Sequence, residues 1–158
     1  MLSVRQRTLR ILIIGINYAP EETGIAPYTA GLAEHLAAKG YSVVAVTGLP
    51  SYPQWRAYDG YRRLLWKRES INGVDVRRRW HYVPRQQSAI RRGLYEGTFL
   101  LTSLSALALP RPDMIVGIVP SLSGGLLARL VAWRFRVPYG LVFQGQAARQ
   151  SGVGGGLL

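Results

Sequence analysis

The chain has 158 residues, 48% of them hydrophobic, which is enough for one globular domain with its own core, and it carries a net charge of +12. It has no cysteine and two histidines, which excludes disulfides, thiol nucleophiles and Cys-zinc sites and leaves too few imidazoles for a histidine-rich metal centre. The absence of thiols agrees with a reducing, cytoplasmic setting.

Met1–Thr8 is a polar, basic lead-in. Arg5, Arg7 and Arg10 precede an apolar run, but Ile11–Ile16 is shorter than a signal-peptide core and no small-residue cleavage site follows, so no secretory signal is expected. Leu9–Ile16 is a continuous, largely β-branched run, as a strand covered on both faces requires. The loop Asn17–Gly24 is punctuated by Pro20 and Gly24. A helix is predicted over Ile25–Lys39, with Pro27 in its first turn, a stripe of Tyr28, Leu32 and Leu36, and Gly40 as its stop. Ser42–Thr47 is a second strand, parallel to the first. Gly48–Gly60 is a long loop carrying Tyr52, Trp55 and Tyr58; it reads either as a functional surface or as an aromatic cap on the sheet edge.

Tyr61–Glu69 and Val74–Trp80 flank Ile71-Asn72-Gly73, and Asn-Gly between two such runs predicts a β-hairpin. Half of the twenty Lys and Arg lie between Arg62 and Arg92. Arg77, Arg78 and Arg79 are expected to form a patch for an anionic surface, whether acidic lipid, nucleic acid or a phosphorylated substrate; the alternative is a solvated basic face. Ser88–Leu109 reads as one long helix with Ile90, Leu94, Phe99, Leu101, Leu104 and Leu107 turned inward, stopped by Pro110 and Pro112. Its apolar stretch, Thr98–Leu109, is too short to span a bilayer, where ~20 residues are needed. Asp113–Val119 is a third core strand, Pro120–Gly125 a second glycine-bearing turn, Leu126–Phe135 a helix and Pro138–Phe143 a short strand. The pattern predicts an α/β, Rossmann-like doubly wound, mainly parallel sheet with an inserted β-hairpin over residues 1–143, followed by a glycine-rich tail over 144–158.

Two loops carry the candidate chemistry. The first has neither G-x-G-x-x-G nor a Walker lysine, so Thr23 and Gly24 read either as an anion-accepting helix start or as turn chemistry. Glu21 and Glu22 are its acidic pair; Glu22 either orients a hydroxyl or stays solvated. In the second, Ser121 and Ser123 with Gly124 and Gly125 suit sugar or phosphate oxygens, or form an ordinary helix N-cap. Both loops are expected at the same sheet edge, lining one crevice. His35 reads as a surface residue, and His81 as structural or titrating. No Ser/His/Asp constellation stands out.

Tyr18-Ala19-Pro20-Glu21-Glu22-Thr23-Gly24-Ile25-Ala26-Pro27-Tyr28, with Leu32-Ala33-Glu34-His35-Leu36 and Gly40-Tyr41-Ser42-Val43, resembles the start of family 4 glycosyltransferases of the colanic-acid and exopolysaccharide type. Thr47–Pro53, Tyr58-Asp59-Gly60-Tyr61 and Pro120-Ser121-Leu122 agree with that type. The resemblance implies the N-terminal half of a GT-B fold, which binds acceptor in a retaining transfer from a nucleotide-sugar, a co-substrate rather than a cofactor. It implies that Thr23 and Gly24 approach the donor diphosphate and that Ser121 lies in the acceptor-side loop. It also implies a second Rossmann-like, donor-binding domain, so the 158 residues alone are expected to transfer little or no sugar. Phe143-Gln144-Gly145-Gln146 stands where such sequences continue into Gln-Asp, so that acid is missing and the catalytic residue stays unknown. A lipid-linked acceptor would bring peripheral contact with the inner face of the plasma membrane. The alternative function is a basic, non-catalytic domain binding anionic lipid or nucleic acid.

Overall fold

The computed structural model describes residues 7–119 and 121–143; the lead-in before residue 7, Pro120 and the tail 144–158 lie outside the described residues. The elements run β1 (Arg10–Ile14), α1 (Ala26–Ala38), β2 (Ser42–Gly48), β3 (Trp66–Ile71), β4 (Val74–Arg79), α2 (Ala89–Ser103), a 3-10 turn (Leu104–Ala108), β5 (Met114–Val119), α3 (Leu122–Phe135) and β6 (Tyr139–Phe143). They build a six-stranded sheet of order β3-β4-β2-β1-β5-β6. Only β3 is antiparallel, joined to β4 through Asn72 (φ 48°) and Gly73 (φ 83°), the left-handed pair that a tight hairpin demands.

Alternation along each strand sends side chains to two cores. Ile11 and Ile13 of β1, with Val43, Ala45, Val74 and Val76, pack beneath Ala30 and Ala33 of α1. Leu12, Ile14, Val46 and Ile115 pack on the other face against Leu127, Ala128 and Val131 of α3. The sheet is therefore doubly wound, with both faces of its central strands covered. At the centre, β1 connects through α1 to β2 on one side, while β5 lies on the other. The loops after β1 and β5 thus leave the same edge at the reversal of strand order, where open α/β sheets bind ligands.

Three expectations need correction. The long helix is broken: α2 ends at Ser103 and its last turn tightens to a 3-10 turn. Its inward face is Tyr95, Phe99 and Ser103, whereas Ile90, Leu94 and Leu101 face solvent, because apolar residues stand on opposite sides of the same helix. Finally, α3 begins at Leu122 and not at Leu126, with Ser121 as its N-cap accepting from Gly124 N–H at 3.2 Å. The early start is possible because Gly124 lies against the strand ends: a Cβ there would come within 2.7 Å of the Ile118 carbonyl oxygen.

Candidate functional site at the carboxyl edge of the sheet

The loop after β1 is held by a buried acid. Glu21 Oε1 accepts from the backbone N–H groups of Ser51 (2.7 Å) and Tyr52 (2.9 Å), and Oε2 accepts from Asn17 Nδ2 (2.9 Å). Burial pushes this carboxyl up, against the pull of those same donors. Glu21 therefore ties the β1 loop to the loop after β2, and it is Glu22 that stays exposed, with no side-chain hydrogen bond among the described residues.

Arg78 ties the same two loops from below. Its side chain is fully buried; it donates to the Ala19 and Gly48 carbonyls and pairs with Glu69. Its guanidinium also lies over the Tyr61 ring, 5.1 Å from the centroid. Arg77 pairs with Asp75 at 3.0 Å, and Arg79 Nε donates to Ser105 Oγ at 2.7 Å. The expected anionic-surface patch is thus overturned at its centre. Strand alternation places Arg78 on the face of Val74 and Val76, inside the protein, and its two half-buried neighbours are bonded to Asp75 and Ser105.

Thr23 and Gly24 are exposed at the tip of the first loop. Gly24 adopts φ +68°, and the Tyr52 ring packs so closely that a Cβ would lie 3.1 Å from it. From Tyr52 an edge-to-face chain of rings crosses the sheet edge: Tyr52–Trp55 at 5.8 Å, Trp55–Tyr95 at 5.7 Å, Tyr95–His81 at 5.0 Å and His81–Phe99 at 6.2 Å. The aromatic loop therefore caps the edge. His81 is buried, and among the described residues neither ring nitrogen has a well-formed hydrogen bond; burial, opposed by the nearby Arg79 backbone, pushes it down to about 4, so it is neutral at pH 7. His35 is exposed at the end of α1.

The second loop holds an acid that no motif announces. Glu96 of α2 reaches the start of α3, where its Oε2 accepts from Ser121 Oγ (2.8 Å), from Ser123 N–H (3.1 Å) and from Ser123 Oγ. The helix start that suited a phosphate oxygen is thus occupied by an internal carboxylate. Oε1 accepts no hydrogen bond among the described residues. The available signal was scarcity: Glu96 is the sole acid between Asp75 and Asp113. The start of α1, by contrast, has no side-chain cap and no acid in its first turn. Of the predicted residues, Ser121 and Ser123 meet each other at 2.7 Å, while Thr23 and Gly24 share their sheet edge on the neighbouring strand.

A hollow of about 180 Å³ lies at the opposite, amino edge, lined among others by Arg10, Ser42, Asp75 and Pro112. Its acid Asp75 is already paired with Arg68 and Arg77, so it offers no free group for chemistry. Among the described residues, no group of three His, Cys, Asp or Glu converges as a metal site would need.

The family model for a glycosyl transferase 4-like domain matches residues 23–157. The putative colanic acid biosynthesis glycosyl transferase WcaI of Escherichia coli (strain K12) is 42% identical over 127 residues, covering 78% of this chain and 31% of that protein. The chain thus spans about a third of the length of this curated relative. Among solved structures, the calicheamicin glycosyltransferase CalG4 superposes with a TM-score of 0.50 at 19% identity, over 92% of this chain and 33% of that one. The C-terminal domain of a Pyrococcus furiosus hydrogenase superposes with a TM-score of 0.54 at 16% identity, over 84% of this chain and 89% of that one. At such identities the likeness is one of fold, and any function rests on what the loops carry.

Proposed function

The chain belongs to the glycosyl transferase 4-like family, and on that premise we propose that it is the acceptor-side domain of a retaining glycosyltransferase. In this reading a sugar passes from a nucleotide-sugar to a glycan acceptor, which can be carried on a lipid. The donor diphosphate is bound with the help of a second Rossmann-like half. These 158 residues alone transfer little or no sugar, and the working site is cytoplasmic, at the inner face of the plasma membrane.

The observation that carries the reading is the division of charge between the two loops. The start of α1, behind Thr23 and Gly24, has no side-chain cap and no acid in its first turn, so the amides it has beside Pro27, which lacks one, favour an anion. The start of α3 is occupied by the Glu96 carboxylate, which repels phosphate and accepts from hydroxyl groups. One loop thus suits the diphosphate and the other suits sugar hydroxyls, side by side on β1 and β5. The test is transfer from a panel of nucleotide-sugars, by the protein alone and combined with a donor-binding half. Robust turnover by the 158 residues alone would overturn the division of labour. In the combined enzyme, Glu96→Gln is expected to raise the acceptor KM about tenfold, the worth of one charged hydrogen bond; an unchanged acceptor KM removes Glu96 from the site.

The second reading, a basic domain that binds anionic lipid or nucleic acid, is favoured by the charge of +12. Arg77–Arg79 do not supply an open patch for it, since Arg78 is buried, Arg77 is paired with Asp75 and Arg79 donates to Ser105.

A further inference from the structure

At the amino edge of the sheet, β4, β2 and β1 lie side by side, and their side chains alternate between the two faces. Leu12 and Val44 belong to the core on the α3 side. Arg10 and Ser42 stand two residues before them, and Asp75 and Arg77 lie in register with Val44 and Val46, so all four share that face. Across from them Leu109, Pro110 and Pro112 close the hollow of about 180 Å³. Its floor is apolar, with Leu12 and Pro112 buried, and its rim is charged.

Four guanidiniums and two carboxylates meet around this rim. Arg68 and Arg77 share Asp75, at 2.9 and 3.0 Å, and Arg7 pairs with Asp113 beside Pro112 at 2.7 Å. Arg10 donates to Asp113 through its backbone N–H at 2.8 Å, while its guanidinium has no hydrogen bond or ion pair among the described residues. Two positive charges are therefore left over, one from the shared Asp75 and one from Arg10. Arg77 bends back to Asp75 through Nε and Nη2, two residues nearer the amino edge, which carries its charge towards the hollow. Burial, and after it Arg77, hold the Arg79 guanidinium on the same strand face below its ordinary value, as cations crowded without enough acid must.

We propose that this hollow binds a small phosphate monoester with a compact apolar body. An apolar cavity of ~150 Å³ accepts a benzene ring, so the floor has room for a body of that size and leaves the phosphate at the rim. There Arg10 and Arg77 meet a group whose charge approaches about −2 at neutral pH, equal and opposite to the charge left over. The Ser42 hydroxyl at the rim adds a donor. Inorganic phosphate would leave the floor unfilled, and a neutral ring would leave the arginines unpaired. The hollow lies at the opposite edge of the sheet from Thr23, Gly24 and Ser121, so it stands or falls independently of the transfer proposed above.

The experiment is methyl NMR of the full chain at neutral pH and low salt, titrated with phenyl phosphate, inorganic phosphate and benzyl alcohol. Phenyl phosphate is expected to shift the methyls of Leu12, Val44 and Leu109, and to bind about tenfold or more tighter than either comparison compound. Arg10→Gln should weaken phenyl phosphate about tenfold, the worth of one charged hydrogen bond, and leave thermal stability unchanged because Arg10 is exposed. Ser42→Phe should fill the hollow and abolish binding with every arginine in place. Arg56→Gln, in the loop at the other edge, should change nothing. Absence of shifts at these methyls, or shifts confined to the carboxyl edge, overturns the proposal. So does equal affinity for inorganic phosphate or for benzyl alcohol. Wild-type affinity in Arg10→Gln also overturns it, and that arm decides the matter even where the bulkier Ser42→Phe disturbs the fold.

Discussion

Replacing His81 by Phe tests how the carboxyl edge is built. In the native protein the imidazole is buried among Tyr95 and Phe99, with no well-formed hydrogen bond to either nitrogen among the described residues, and burial pushes it from 6.5 to about 4. A depressed folded-state value means that the unfolded chain takes up the proton first. Stability from this group is therefore complete above pH 6.5 and is lost as the pH falls from there towards 4. That difference corresponds to about 3 kcal/mol in full, and to about 2 kcal/mol by pH 5. The Phe variant has no such loss. Urea unfolding of both proteins at several pH values from 7 to 4.5 should give curves that converge by about 2 kcal/mol on acidification. The comparison is of slopes, so any overpacking by the larger ring, which shifts the whole curve, leaves the result readable. Parallel curves, or a His81 ring that titrates near 6.5 by NMR, would refute the buried, unpartnered assignment.

Other outcomes follow from the same geometry. Arg78→Met should cost about 3 kcal/mol, at the low end for a broken buried ion pair because Glu69 keeps some contact with water, whereas Arg77→Ser should stay within about 1 kcal/mol; equal losses in denaturation would restore the surface patch. Burial raises the Glu69 carboxyl, but its bonds to Arg78, Lys67 and Tyr61 outweigh it and leave it lowered. Wild-type stability from Glu69 is accordingly present above the ordinary carboxylate value and lost as the pH falls from there through the lowered folded value, a dependence that Arg78→Met should weaken while Lys67 and Tyr61 keep part of it. Glu21→Ala should cost about 2 kcal/mol by stranding buried donors, and should speed hydrogen exchange at Ser51 and Tyr52; unchanged exchange there would sever the proposed tie between the two loops. Gly24→Ala should destabilise by about 1–2 kcal/mol through its left-handed φ, and a melting temperature equal to wild type would contradict the backbone described here.

The layers were legible from residue patterns alone. Continuous β-branched runs mark strands buried on both faces, and Asn72-Gly73 marks the hairpin, because each of these signals acts within a few residues of chain. The loops that carry the candidate site were legible for the same reason: Thr23-Gly24 and Ser121–Ser123 precede helices, and a helix start announces itself locally. What sequence could not decide is which partner each group finds. The inner and outer faces of α2 are both apolar, so periodicity cannot say that Phe99 is buried and Leu101 exposed; only the packing of α2 on α3 and the sheet selects between them. Strand alternation puts Arg78 on the side of two buried valines, but a buried guanidinium is tolerable only where Glu69 and the Ala19 and Gly48 carbonyls converge on it. Glu96 is one charge on a helix until the fold brings it to the start of α3. Those partners come from distant stretches of chain, and electrostatics at that range is fixed by tertiary contact, not by local pattern.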